Sequence, residues 1–390
     1  MNFKVKITTL TSLFIGNGES YYPTDYFIDE KGKTLNFINK SDYMDKIYGG
    51  FYYRALLSLT SSGTFDFKQL MNIYSQSCTD FVEYKIPIDD SDADAPESAF
   101  NYLDKNIKEP FRAPVDCFIR GGLDKQPYIP GSSFKGALKN AFQSYMLDNN
   151  ENTAANIKKE LLEVERSFSR ETDLKKKETR TINEKIKIVD KYIKENITGS
   201  FESDIFRLIN VSDFKLSAGD TQNNNLNYIK IIRPNNLNKS GNVTHMPVLL
   251  ESISKNTSFE GEIYIDDQFI KSNFADRMPL LFNIGIPKEK PENTLKELLM
   301  KAIQKFGSQI YDIESKRFKY AENFKFELDK NKNILKLGRL GGGGSKSLDK
   351  IREITIQKNG KIITNKAAYQ SSLWINENKE PIGWIEVEFL

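Results

Sequence analysis

Histidine and cysteine are almost missing from this chain. Its 390 residues include one His, His245, and two Cys, Cys78 and Cys117. Neither a Cys/His zinc site nor a two-histidine metal site can be assembled from that inventory. No run approaches the roughly 18 apolar residues that a spanning helix needs. The opening MNFKVKITTLTSLFIGNGE alternates lysine with apolar residues and lacks the uninterrupted apolar core of a signal peptide. The expectation is a cytoplasmic protein with no membrane contact. A strong excess of one charge is missing too. Fifty-six Lys and Arg against 53 Asp and Glu leave a net charge of +3, with an isoelectric point near 8.4. That balance is compatible with nucleic-acid binding but far from the basicity of a self-sufficient binder. Binding of that kind must come from local placement, or from a ligand shared with partners.

The bulk composition is that of a soluble globular chain: 39% hydrophobic, 28% charged, mean hydropathy −0.52. The length suffices for a sizeable core without disulfide or metal staples. Phe3, Val5 and Ile7 alternate with Lys4, Lys6 and Thr8, which predicts an opening strand with one buried face. Short strands are expected at 25–30 and 33–38, and a helical stretch through 41–60. Residues 89–97 (DDSDADAPE) read as an exposed acidic loop. In the second half, Phe259, Gly261, Ile263 and Ile265 alternate with Glu260, Glu262, Tyr264 and Asp266. A helix is expected over 292–315, and a closing strand where Ile385, Val387 and Phe389 alternate with glutamates. Between the halves, 150–198 is dense in Lys, Glu and Arg, with Ile182, Ile186, Val189 and Ile193 spaced for one helical face. It reads as a solvated helical insertion. Its KKKETR run (175–180) is a weaker candidate for phosphate contact, diluted by the acidic residues around it. Together these patterns predict an α+β fold of two related halves.

The strongest local motif is IPGSSFKGALK at 129–139. Pro-Gly makes a turn, Ser132 or Ser133 offers an N-cap, and a helix follows with Phe134, Ala137, Leu138, Ala141 and Phe142 as its buried stripe. Lys135 and Lys139 lie four apart on one face. A lysine in the first turn faces the positive end of the helix dipole, and a bound anion would relieve that. An ordinary capped helix with solvated lysines fits the residues equally well. A second motif is LGRLGGGGSKSL at 337–348, where Arg339 and Lys346 flank Gly341, Gly342, Gly343 and Gly344. Four glycines let a ligand approach the backbone closely, although a flexible linker has the same composition. It is not a Walker A loop, since Ser345 stands where Gly must precede the Lys, and Ala137 spoils the same pattern at 131–136. ATP hydrolysis is therefore disfavoured. A third motif, LFIGNGE at 13–19, is a turn signal after the first strand. His245, the sole imidazole, is a candidate general base, and Asp25 a candidate acid/base or metal carboxylate. Each is also readily explained as a structural residue.

Taken together, LFIGNGE, IPGSSFKGALK and LGRLGGGGSKSL resemble the RAMP superfamily of CRISPR RNA-binding proteins. The likeness is strongest to the type III-A Csm effector subunit that caps the 3′ end of the guide RNA filament. FEGEI (259–263) and VSDF (211–214) are similar to the second half of such proteins. The resemblance implies two RRM-like (ferredoxin-like) modules, at 1–149 and 201–390, with the charged helical insertion at 150–200 between them. It implies crRNA phosphate contacts from Ser132, Ser133, Lys135 and Lys139, and from Arg339, Lys346 and the glycines 341–344. The loop Gly16, Asn17, Gly18 would lie near RNA, and Arg120, before Gly121-Gly122, joins the set on its charge and position. The RNP aromatic signature is absent, so recognition of RNA backbone and shape is expected rather than base stacking on the sheet. Expected partners are crRNA, other Csm subunits (above all the repeating backbone subunit) and possible host nucleases, with no cofactor and no metal. Two function classes follow. One is a non-catalytic capping subunit that supports crRNA maturation and complex assembly in antiviral defence. The other is an endoribonuclease acting on precursor or target RNA through Asp25 with a divalent metal, or through His245 without one.

Overall fold

Phe3, Val5, Ile7 and Thr9 are buried along one face of the strand Asn2–Thr9, as the alternation predicts. In the computed structural model this strand is central, not peripheral. It pairs antiparallel with Ser258–Ile265 on one side (Val5 opposite Gly261) and with Trp384–Phe389 on the other (Val5 opposite Phe389). An eight-stranded sheet results, in the order Ile334–Lys336, Trp384–Phe389, Asn2–Thr9, Ser258–Ile265, Phe214–Leu216, Gln126–Ile129, Arg120–Gly121. Ile209–Val211 also pairs with Ser258–Ile265. Strands from before residue 150 and after residue 200 therefore share one sheet. The structure describes residues 1–61, 66–89, 98–106, 114–122, 125–168, 174–199, 204–217, 228–238, 240–245, 248–266, 291–318, 324, 326–351, 354–358, 361–365 and 372–390.

Two helices pack on each other and on this core: Gly131–Asp148, and Pro291–Phe318, which contains the expected 292–315 helix. Leu295, Leu299, Ala302, Ile303 and Phe306 are all buried, and Leu298 packs against them. The long helix lies so close to the edge strand that a methyl group on Gly307 would sit 1.8 Å from the Ile334 carbonyl oxygen. Across the same junction, Lys336 Nζ lies 2.5 Å from Glu314 Oε1, both fully buried, and the Trp384 indole N–H donates to Glu314 Oε2 at 3.2 Å.

A second sheet runs Ile229–Ile232, Leu249–Ile253, Val115–Phe118, Gly16–Tyr21. A third, Tyr26–Asp29, Thr34–Ile38 and Val82–Pro87, carries three helices with their own small core around Tyr43, Leu70 and Tyr74. The architecture is mixed α+β. Among the described residues no helix is long and apolar enough to cross a membrane.

Several local expectations need correction. The 41–60 stretch is two helices, Lys40–Ile47 and Phe51–Ser61, because the chain turns at Gly49 with φ +72°. The insertion is a helix pair, Glu151–Ser167 and Leu174–Ile193, but Ile186 is exposed. Val189 and Ile193 do face inward, joined by Ile188, Tyr192 and Lys185, the lysine stem covered and its ammonium on Glu165 at 2.6 Å. KKKETR falls within the second of these helices. Of the acidic loop, Asp89 is buried and its N–H donates to the Ile231 carbonyl; 90–97 lie outside the described residues.

Candidate nucleic-acid interface

Sequence reasoning places the N-cap of the central helix at Ser132 or Ser133. The structure places it at Pro130, with both serines inside the first turn. A side-chain cap comes from elsewhere in the chain: the Gly131 N–H donates to Asp213 Oδ1 at 2.8 Å. Gly131 is forced to be glycine, since a Cβ there would meet the Val211 carbonyl oxygen at 2.3 Å and that of Ser212 at 2.6 Å. The next residue of that strand pair, Phe214, packs edge-on against Phe134 at a centroid separation of 5.0 Å. Phe214 in turn lies over Gly261, where any Cβ would meet its ring at 2.7 Å. IPGSSF, VSDF and FEGEI are thus one packing unit that aims the helix.

The glycine loop is a built turn, not a linker. The Leu337 N–H donates to the Gly383 carbonyl at 2.8 Å and the Arg339 N–H to the Phe14 carbonyl at 3.1 Å. Gly338, at φ +90°, passes so near Phe14 that a Cβ would lie 2.2 Å from its carbonyl oxygen. Ser345 Oγ bonds the Gly341 and Gly342 carbonyls, Ser347 Oγ bonds that of Gly343, and Lys346 Nζ closes the turn on the Arg339 carbonyl at 3.1 Å.

These segments enclose one open groove of about 620 Å³. The segment expected as a loop is the bulged start of the strand Gly16–Tyr21 and, with the preceding residue, contributes Ile15, Gly16 and Gly18. The helix contributes Ser133, Gly136, Ala137 and Asn140, and the glycine loop contributes Gly338, Arg339, Ser345 and Lys346. Three sequence motifs, read separately, therefore meet along one surface. Its walls are glycine backbone, Ser133, Asn140 and Ser345, the apolar Ile15, Ala137 and Leu337, and the cations Arg339 and Lys346. Lys336 lies beneath them, committed to Glu314, and the lining has no aromatic platform. Such a surface can hold an extended polyanion through backbone amides, hydroxyls and point charges.

The basic candidates differ in what holds them. Arg339 is exposed and forms an ion pair with Asp116 at 3.0 Å. Lys139 is bound to Asp204 at 2.7 Å. Lys135 makes no ion pair among the described residues; partial burial lowers its pKa from the ordinary lysine value, Asp204 opposes that, and Lys139 adds to it. Arg120 is turned inward. Its guanidinium lies 3.3 Å from Glu251 Oε1 and 4.8 Å over the Tyr84 ring, with 11% of the side chain exposed against 0% for Glu251. Burial raises the Glu251 pKa, opposed by Arg120 and by the Phe118 N–H that donates to it at 2.9 Å. Asn17 folds back on Glu19 instead of lining the groove. Ser132, exposed at the helix start, is also off the groove lining, as are Lys135 and the glycines 341–344, whose run shapes the loop without facing the groove.

Asp25 is occupied by structure. Its carboxylate accepts the Tyr22 N–H at 2.7 Å and pairs with the Lys40 ammonium, away from the groove lining. His245 ends the strand Val243–His245, paired opposite Asn235. Among the described residues no group of three or more His, Cys, Asp or Glu is placed to hold a metal ion. Sequence reasoning missed Asn140 and Gly136, although Ser133, Gly136/Ala137 and Asn140 follow the three-four-seven spacing of one helical face. It also missed Asp116, Asp204 and Asp213, which meet their partners only through tertiary contact.

Comparisons with known proteins show the family to which the chain belongs. A protein of Methanocaldococcus jannaschii, CRISPR system Cms protein Csm5, is 25% identical over 332 residues, which is 81% of this chain. The chain spans 64% of that relative's length. Among solved structures, T. onnurineus Csm5 aligns at a TM-score of 0.63 and 17% identity, over 98% of this chain and 99% of that one. A chain of a Csm–crRNA–target RNA ternary complex from a type III-A CRISPR-Cas system aligns over 100% of both, at a TM-score of 0.62 and 16% identity. The RAMP superfamily model matches residues 6–348, a span that runs through every motif lining the groove, and on that match the chain belongs to the RAMP superfamily.

Proposed function

We propose that this chain is the crRNA-binding subunit of a type III-A CRISPR effector that caps the 3′ end of the guide filament and supports crRNA maturation and complex assembly. The observation that carries the reading is the convergence of the Gly16–Gly18 strand segment, the 131–148 helix and the glycine loop on one groove. A single-stranded RNA backbone fits the walls at Gly16, Gly18, Gly136 and Gly338, with Arg339 and Lys346 as phosphate partners and Lys135, next in the chain to Gly136, as a third cation. The absence of aromatic residues from the groove lining supports recognition of backbone and shape, independent of spacer sequence. The named relative and the two solved structures, one of them from a crRNA complex, support the same assignment. The two RRM-like halves of this reading, 1–149 and 201–390, share the central sheet, and the helix pair of the 150–200 insertion packs beside the Gly131–Asp148 helix.

The near-neutral net charge fits a subunit that shares its RNA with neighbours. An apolar surface is available for them: Met44, Tyr48, Phe51 and Leu57 are exposed together on the Lys40–Ile47 and Phe51–Ser61 helices and the turn between them. The repeating backbone subunit is the neighbour this reading assigns, with host nucleases as further contacts during maturation. Cleavage through Asp25 is disfavoured, since that carboxylate is committed to Lys40 and the Tyr22 N–H. The test is RNA binding and cleavage by the purified protein with and without Mg²⁺. Salt-sensitive binding without cleavage, weakened by groove substitutions, supports the capping role. Cleavage lost in Asp25→Ala or His245→Ala replaces it with the nuclease reading.

A further inference from the structure

Three features of the groove region that attract phosphate are already occupied by carboxylates of the chain itself. Asp116 holds Arg339, Asp204 holds Lys139, and Asp213 holds the first N–H of the helix. The three differ in how readily they can let go. Arg120 and Glu251 show the permanent extreme: both are buried, and separating them would strand a charge away from water. The Arg339–Asp116 pair is the opposite case, with 67% of the arginine side chain and 24% of the aspartate exposed. Exposed pairs contribute little to stability and exchange partners readily.

We propose that Asp116 is a phosphate stand-in that holds Arg339 in the groove until an RNA phosphate takes its place, and so sets a threshold that incidental RNA does not pass. The inference rests on the RNA-binding reading of the groove. Two further contacts make the exchange inexpensive. Asp116 Oδ1 accepts a hydrogen bond from Ser20 Oγ at 2.7 Å, and the two residues face each other across the strands Gly16–Tyr21 and Val115–Phe118. When Arg339 leaves, Asp116 keeps that partner. The Arg339 backbone is anchored independently, through its N–H to Phe14 and its carbonyl to Lys346 Nζ. The guanidinium can therefore swing from carboxylate to phosphate while the glycine loop keeps its shape.

An RNA that makes few other contacts gains little from such a swap, because it trades one anion for another. An RNA delivered along the groove by neighbouring subunits gains enough elsewhere to complete it. Discrimination of this kind uses an unfavourable element for the wrong ligand as well as favourable ones for the right ligand.

The test is Asp116→Asn, which keeps an oxygen for Ser20 and removes the charge. Binding of a labelled mixed-sequence single-stranded RNA is measured across a salt series for wild type, Asp116→Asn, Arg339→Ala and the double variant. We expect Asp116→Asn to bind roughly two- to fivefold tighter, the range set by exposed pairs. Its log K against log salt should steepen by up to about 0.7, the increment for one more phosphate neutralised on a single strand. In the Arg339→Ala background the gain should vanish. Asp116→Ser, with a thermal melt on every variant, guards against a folding defect. An unchanged affinity and slope overturns the proposal, as does a gain that survives without Arg339. If Arg339→Ala and Lys346→Ala leave RNA binding intact, the groove reading itself fails; if they weaken it and Asp116→Asn does nothing, only the stand-in role fails.

Discussion

The Gly131 amide donates to Asp213 Oδ1 at 2.8 Å, joining residues 82 apart in sequence, and the same glycine leaves no room for a methyl group beside Val211 and Ser212. That contact fixes where the central helix begins and which of its faces turns to the groove. Asp213→Ala should lower unfolding stability by about 1 kcal/mol, as expected for a lost cap. Gly131→Ala should lower it by more, because a Cβ at 2.3 Å from a backbone oxygen moves the strand or the helix. Denaturant unfolding of both variants checks the order.

Arg120 and Glu251 are predicted to be a structural pair with no part in RNA binding. Arg120→Ala or Glu251→Ala each leaves a charge buried alone and should cost roughly 3–5 kcal/mol. The double variant Arg120→Met/Glu251→Leu should recover much of that loss. Any double variant that folds should bind RNA with wild-type affinity. A fall in its affinity would return Arg120 to the interface.

Lys135 and Lys139, four residues apart, should behave differently. Lys139→Ala removes the partner of Asp204 and should act mainly on stability, by about 1 kcal/mol or less for a partly exposed pair. Lys135→Ala removes a cation with no ion pair among the described residues and should weaken RNA binding across sequences, with a shallower salt slope. The pH dependence carries a sign. The Lys135 pKa is lowered in the free protein, and a nearby phosphate favours the charged form, so binding takes up a proton once the pH nears that lowered pKa, and none well below it. Affinity should then fall as pH rises through the lowered pKa, earlier than for an ordinary lysine. Lys135→Arg, charged throughout, should flatten that profile.

The sequence made the local half of this structure legible. Strand alternation at Phe3–Ile7 and at Ile385–Phe389, and helical spacing over 292–315, are short-range signals that survive in the fold. The three motifs around the groove were legible for the same reason: glycines, turns and charges act within a few residues. What escaped were pairings made across the chain. Asp204 reaches Lys139 over 65 positions and Asp116 reaches Arg339 over 223, with no periodicity to announce either. Arg120 looked available because its neighbours are glycines, yet a glutamate on a neighbouring sheet claims it. Ile186 looked buried because it is apolar, whereas the partner helix offered Glu165 and made Lys185 the inward residue.

The most direct measurement of the central claim is the RNA affinity of the double variant Arg339→Ala/Lys346→Ala against wild type, at about 50 and about 200 mM salt. Lys346→Ala also opens the bond to the Arg339 carbonyl, so a thermal melt accompanies it. The account predicts a folded variant that binds RNA more weakly, with the larger deficit at low salt and a slope shallower by between about 0.7 and about 1.4, one phosphate for Lys346 and up to one for Arg339 on a single strand. A folded variant with unchanged affinity and slope would show that RNA does not run through this groove.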